Sequence, residues 1–206
     1  MLTDLSIKDL LAKTASKDPV PGGGSISALC AALAAALAEM VANLTIGKKG
    51  YEVHTYEMKD LAAEANRYRE KLAQDIDRDS DAYAGVLSAF QLPKGTEEEK
   101  ARRNEAVQQA LKTAALVPLG VAEDAFRILD LAGKALEIGN RNAVTDAAIA
   151  AMSARTAVLG ALYNVRINLV SIKDADFVKE VSEKVSHLEE RAKEKEKAFL
   201  SRVRIE

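Results

Sequence analysis

From Met58 to Phe90 one set of residues recurs at steps of three and four: Met58, Leu61, Ala65, Tyr68, Leu72, Ile76, Asp79, Tyr83, Val86 and Phe90. That spacing lines side chains along one face of an α-helix, whereas a strand would scatter them over both of its faces. A single long helix is therefore expected from about 55 to 90, ended by Pro93. Its apolar stripe needs partners, and the rest of the chain offers them in the same form. Alanine is abundant, aromatic content is 4%, and the four prolines all fall where helices begin, end or bend. Branched residues cluster only in Asn164 to Ile172, which continues a helical pattern and has no turn-linked partner strand. The expected fold is all-α, an up-and-down antiparallel bundle with long buried helices, in one domain over residues 1–206.

The remaining elements follow from their end signals. A short helix near 6 to 16 opens on a Ser6 to Asp9 capping box, and a buried helix near 25 to 46 follows the loop from Asp18 to Gly24. Thr96 with Glu99 opens the next long helix, which Pro118 is expected to kink or divide. Gly139 and Asn140 stop it, Asn142 or Thr145 opens a further buried helix to about 170, and Asp174 caps the last one. The distal stretch HLEERAKEKEK reads as a solvated charged face.

Charge and cysteine content narrow the partners. The 29 basic and 31 acidic residues nearly cancel, to a net charge of -2, which argues against nucleic acid or an anionic membrane surface. A small molecule or another protein is the expected partner. The one cysteine, Cys30, has no disulfide partner, and no paired cysteines or closely spaced histidines suggest a metal site, so a cytoplasmic location fits. The first eighteen residues are charged and amphipathic, unlike a signal peptide. Ile26 to Gly47 approaches membrane-spanning length, but it is alanine-rich and carries Glu39 and Asn43, so it reads as a buried helix.

Asp79 interrupts the long stripe. A carboxylate on an apolar face costs free energy unless it is paired or hydrogen-bonded, and its pKa is open to perturbation, as a general acid or base requires. Asp75 lies one turn earlier and is placed to share the site, while Asp77 and Asp81 point elsewhere. The alternative is an ion pair between Asp79 and a core arginine, Arg155 or Arg166. A second stripe, Asp146, Ala150, Ser153, Ala157, Gly160, Asn164 and Asn168, mixes small residues with amides able to read the edge of a heterocycle. It equally suits an interhelical polar network, with Asp146 a favourable first-turn charge. Pro21-Gly22-Gly23-Gly24-Ser25 runs into a helix start that favours an anion, or is a plain cap with Ser25 as N-cap. Lys48, Lys49 and Tyr51 sit on a glycine-bounded turn at the far end of that helix, where a flat ring with a carboxylate tail would fit, or where the lysines merely complement the helix C-terminus.

Taken in order, PVPGGGSISALCAALAAALAEMVANLTIGKKGYE, DIDRDSDAYAGVLSAFQLPK, ALVPLGVAEDAF and GNRNAVTDAAIAAMSARTAVLGALYNVRINL resemble the formiminotetrahydrofolate cyclodeaminase and methenyltetrahydrofolate cyclohydrolase family over nearly the whole chain. The resemblance implies an all-helical homodimer or larger homo-oligomer acting on a tetrahydrofolate derivative as substrate, with no metal or redox cofactor. One family activity closes 5-formiminotetrahydrofolate with loss of ammonia; the other hydrolyses 5,10-methenyltetrahydrofolate to 10-formyltetrahydrofolate. Carried onto this chain, the motif positions are Gly22, Gly23, Gly24, Ser25, Lys48, Lys49, Tyr51, Asp77, Asp79, Asn140, Asp146, Asn164 and Asn168. Asp79 or Asp146 is then expected to move the proton, with the lysine turn and Arg166 holding folate carboxylates. Some relatives are fused to a formiminotransferase domain, which this chain lacks, so direct cyclohydrolase work stands level with deamination. The rival readings are a helical interaction module without catalysis and a protein that stores folate.

Overall fold

A computed structural model describes residues 1–204, and among them no strand occurs. Six helices carry the fold: α1 Ile7–Thr14, α2 Gly23–Asn43, α3 Thr55–Phe90, α4 Glu97–Ile138, α5 Val144–Leu169 and α6 Ala175–Leu200. Cross-helix contacts set their directions. Asp79, late in α3, and Asn164, late in α5, both pack against the first residues of α2, so α2 runs antiparallel to each. The pairs Lys71–Asp124 and Glu57–Lys134 make α3 antiparallel to α4. Arg155–Glu196 and Arg166–Glu189 do the same for α5 and α6. The expected up-and-down bundle is what the chain forms.

Alanine makes the centre of this bundle thin. Ala28, Ala31, Ala34, Ala35 and Ala38 on α2, and Ala150, Ala154, Ala157 and Ala161 on α5, are all fully buried. A methyl group added at Gly160 would lie 2.5 Å from the Ser27 hydroxyl, so α2 and α5 are already at contact there. By length and hydropathy both helices could cross a membrane, yet about half of each apolar window is buried inside the bundle, with α2 packed on α3, α4 and α5.

The caps at Ser6, Thr96 and Asp174 accept the expected main-chain N–H groups, and Thr96 with Glu99 completes a capping box. Two starts differ. Helix α2 begins at Gly23 with Gly22 as its cap, which places Ser25 inside the first turn and fully buried rather than at the N-cap. Helix α5 follows a 3-10 turn, Arg141–Ala143, capped by the Asn140 side chain, so neither Asn142 nor Thr145 caps it.

Of the two expected effects of Pro118, a kink or a break, the break does not occur, because α4 runs through it as one helix. Proline removes the N–H that would donate to the carbonyl four residues back, Ala114. Asn168 on α5 supplies the missing donor, its Nδ2 lying 2.8 Å from the Ala114 oxygen. The α3 stripe also departs from expectation: from Met58 to Ile76 it is buried apart from the half-buried Tyr68, then it surfaces, leaving Tyr83 40% and Phe90 48% exposed. Asp79 thus stands where the dry seam opens.

Candidate active site

Helix α2 has a polar cluster at each end, and its 21 residues separate them by roughly 30 Å. The first cluster forms around Asp79. Gly24 passes so close to this carboxylate that a Cβ there would lie 2.0 Å from Oδ1, and Gly23 approaches the Asn164 amide in the same way, at 3.0 Å. Two glycines therefore let three helices meet: α2, α3 through Asp79, and α5 through Asn164. The buried Ser25 hydroxyl lies 3.1 Å from Asp79 Oδ2, 2.9 Å from the Ile76 carbonyl and 3.2 Å from the Ser80 hydroxyl.

No cation neutralises Asp79 among the described residues. The expected alternative partners are engaged elsewhere, Arg155 with Glu196 and Arg166 with Glu189, both on α6. Asp75 does not share the carboxylate's surroundings either, being buried in its own ion pairs with Arg78 and Lys71. Burial raises the Asp79 pKa above the ordinary carboxylate value, while the Ser25 hydroxyl and main-chain N–H pull the other way. Burial prevails over these Ser25 contacts, while the positive end of α2 also favours the anion. A cavity of about 380 Å³ lies between α3 and α4, lined by Arg78, Asp81, Ala82 and Gly85 against Ala110, Thr113 and Val117, and Asp79 is not among its lining residues.

The second cluster closes the other end of α2. Lys48 Nζ donates to Asn140 Oδ1 at 2.7 Å and lies 5.8 Å from the centre of the Tyr51 ring. The Tyr51 hydroxyl accepts from the Arg141 N–H at 3.0 Å, and the Asn140 amide donates to the Leu44 carbonyl. Gly47 and Gly50 take φ of 71° and 87°, so only glycine fits this turn without strain. Lys49 is exposed beside it. Asp146 opens α5 near this end, about 27 Å along the helix from Asn164. One chain therefore does not bring Asp146 and Asp79 together.

Other sequence candidates have defined contacts. Asp77 accepts from the Leu2 N–H at 2.6 Å and the Thr3 hydroxyl at 2.8 Å, tying the N-terminal segment to α3. Asn168 serves the Ala114 carbonyl, and Gly22 caps α2. Ser80 escaped the sequence reading. Its only signal was a hydroxyl next to Asp79, and its importance depends on Ser25, fifty-five residues away.

Fold and site define a class: an all-helical domain that keeps an unneutralised carboxylate where three helices meet. The family model described as formiminotransferase-cyclodeaminase matches residues 6–187, and the chain belongs to that family. It is 39% identical over 175 residues to a methenyltetrahydrofolate cyclohydrolase of Methylorubrum extorquens, covering 85% of this chain and 84% of the relative. It is 34% identical over 192 residues to the formimidoyltransferase-cyclodeaminase of Rattus norvegicus, which covers 93% of this chain but only 36% of the relative's length. The crystal structure of a formiminotetrahydrofolate cyclodeaminase from Thermotoga maritima superposes with a TM-score of 0.88 at 32% identity, covering 98% of each chain.

Proposed function

We propose that the chain is a folate one-carbon enzyme acting on the N5–N10 bridge of tetrahydrofolate, with Asp79 as its acid–base group. The observation that carries this reading is the Asp79 carboxylate, half-buried, without a cation, and held against Gly24 and Ser25. A buried carboxylate with a raised pKa can take a proton and return it within one turnover. In hydrolysis of 5,10-methenyltetrahydrofolate, water adds to the bridge carbon and gives a proton to Asp79. The protonated carboxyl then hands it to N5 as the C–N5 bond breaks, and the hydroxyl oxygen on the bridge carbon loses its own proton to solvent, leaving the formyl group on N10. In cyclisation of 5-formiminotetrahydrofolate, N10 attacks the formimino carbon and its proton passes through the same group to departing ammonia.

Hydrolysis is the reaction supported by the 39% identical relative, which matches this chain at comparable length. Cyclisation is supported by the Thermotoga maritima structure. Both substrates offered to the purified protein decide between them. Loss of methenyltetrahydrofolate absorbance above the spontaneous rate, without ammonia release from the formimino compound, is the expected result; the reverse pattern assigns cyclodeamination. Binding of either compound with no turnover overturns the enzymatic reading.

The proposed chemistry needs proton transfer alone, without resident metal or redox group, and the chain is proposed to work in the cytoplasm. Gly22 to Gly24, Ser25, Asn164 and Asn168 line the ring end in this reading. Lys48, Lys49, Tyr51 and Asn140 are proposed for the tail carboxylates, with Asp146 beside them; Arg166 and Asp77 keep the structural contacts described above. Ring and tail ends lie farther apart in one chain than a folate with a single glutamate is long. A homodimer joins them. Leu33 and Met40 on α2, with Ile149, Met152, Tyr163 and Ile167 on α5, are exposed apolar side chains on two helices packed together, and are proposed to make one face. Isologous pairing of that face, with α2 antiparallel to its partner copy, sets the Lys48 end of one subunit beside the Asp79 end of the other. Asp79→Asn and Lys48→Ala subunits, each inactive alone, should then recover about a quarter of wild-type activity when mixed, because half of the dimers hold one intact site. No recovery on mixing would place each site within one chain.

A further inference from the structure

The Ser25 hydroxyl has three oxygen neighbours and one proton. Asp79 Oδ2 lies 3.1 Å away, the Ile76 carbonyl 2.9 Å and the Ser80 hydroxyl 3.2 Å, and Ser25 itself is fully buried. A hydroxyl donates once and accepts twice. It therefore cannot donate to the Asp79 carboxylate and to the Ile76 carbonyl at the same time.

Two arrangements satisfy every group without moving a heavy atom. With Asp79 ionised, Ser25 donates to Oδ2 and accepts from Ser80. With Asp79 protonated, the carboxyl donates to Ser25 Oγ, and Ser25 turns its proton to the Ile76 carbonyl, which already takes its place in the α3 ladder and has a second lone pair free. We infer that Ser80 is a positioning residue of this site: its hydroxyl holds Ser25 in the arrangement that donates to the ionised Asp79, so that Ser25 and Ser80 form a two-position proton switch. The inference rests on the acid–base role proposed for Asp79 and adds a residue, Ser80, that touches no substrate.

A donor polarised by a second donor is the stronger donor. Loss of Ser80 thus weakens the support of the anion while leaving the protonated arrangement largely intact. Nothing else nearby takes over. Helix α2 presents Gly24 and Ser25 to the carboxylate, and the neutral Asn164 of α5 packs on the neighbouring Gly23. On α3 itself Asp75 and Arg78 are paired with each other, and Asp77 faces the Leu2 and Thr3 donors.

The test uses the full-length protein and two readouts. Carboxyl carbon resonances of labelled aspartate, assigned through Asp79→Asn, follow the Asp79 titration without substrate. In Ser80→Ala the titration moves to higher pH, in Ser25→Ala it moves further, and Ser80→Thr restores it. With substrate, the acidic limb of the rate profile follows the same order, and Ser80→Ala lowers the rate on that limb by about 2- to 10-fold, the worth of one neutral hydrogen bond. An Asp79 titration identical in wild type and Ser80→Ala overturns the inference whatever the turnover does. A titration that moves as described, in a protein that Asp79→Asn does not slow, leaves the switch standing and removes the function proposed for Asp79.

Discussion

Replacing Asp79 by asparagine yields a folded protein whose turnover on its folate substrate falls by about 10²- to 10⁴-fold, the range carried by a positioned general acid or base. The structural part of Asp79 survives this change. Asparagine keeps an oxygen for the Ser25 hydroxyl and the exposed amides at the start of α2, where Gly22 offers no side-chain cap. What disappears is the ability to hold a proton in one state and release it in the other. Stability moves in the opposite direction to activity. The folded pKa of Asp79 is raised, chiefly by burial, so its contribution to stability is fully present below the unfolded carboxylate pKa of about 3.9. That contribution is lost as pH rises through the raised folded value. At neutral pH the ionised carboxylate is therefore a burden, and the asparagine variant should melt at or above the wild-type temperature, an advantage that fades on acidification. A purely structural Asp79 would show the reverse: lower melting temperature and no specific effect on turnover.

Gly24→Ala tests the same geometry from the other helix. The new methyl would sit 2.0 Å from Asp79 Oδ1 and 2.4 Å from Cγ, far inside contact distance. The carboxylate is short and bonded to Ser25, so it must rotate out of its place or α2 must shift. Overpacking of this kind costs about 1–3 kcal/mol of stability, visible in a denaturant melt. Misplacing a reacting group by about 1 Å costs on the order of 10²-fold in rate. Gly120→Ala is the control, since nothing lies within 4 Å of the methyl it would add on α4. Equal activity in Gly24→Ala and wild type would mean that the position of Asp79 against α2 does not matter for turnover.

Much of this was legible in the sequence where the signal was local. The α3 stripe announced a helix because its apolar positions repeat with helical period, and Asp79 stood out as the one carboxylate on that face. Ser6, Thr96 and Asp174 cap their helices as read, because a cap and its amide lie within a few residues of each other. What failed depended on distant partners. Pro118 breaks a helix unless something else donates to the freed carbonyl, and that donor, Asn168, comes from another helix. Arg155 and Arg166 had the chemistry of carboxylate ligands, and they do hold carboxylates, but those of Glu196 and Glu189 in a segment that looked merely solvated. Ser25 read as a cap because Ser before an apolar run usually is one; three glycines ahead of it let α2 start earlier and drew its hydroxyl into the core. Asp79 and Asp146 both fitted a family site, and within one chain the antiparallel order of α2, α3 and α5 sends them to opposite ends, so only a partner copy can bring them together.

The central claim is that Asp79 touches the reacting carbon. A crystal structure of the Asp79→Asn protein with 5,10-methenyltetrahydrofolate bound measures this directly. The bridge carbon should lie within hydrogen-bond reach of the side chain at position 79, about 3 Å either directly or through one water, with the glycines of α2 against the ring. A bridge carbon lodged elsewhere, with position 79 screened from it by protein, would contradict the proposed mechanism.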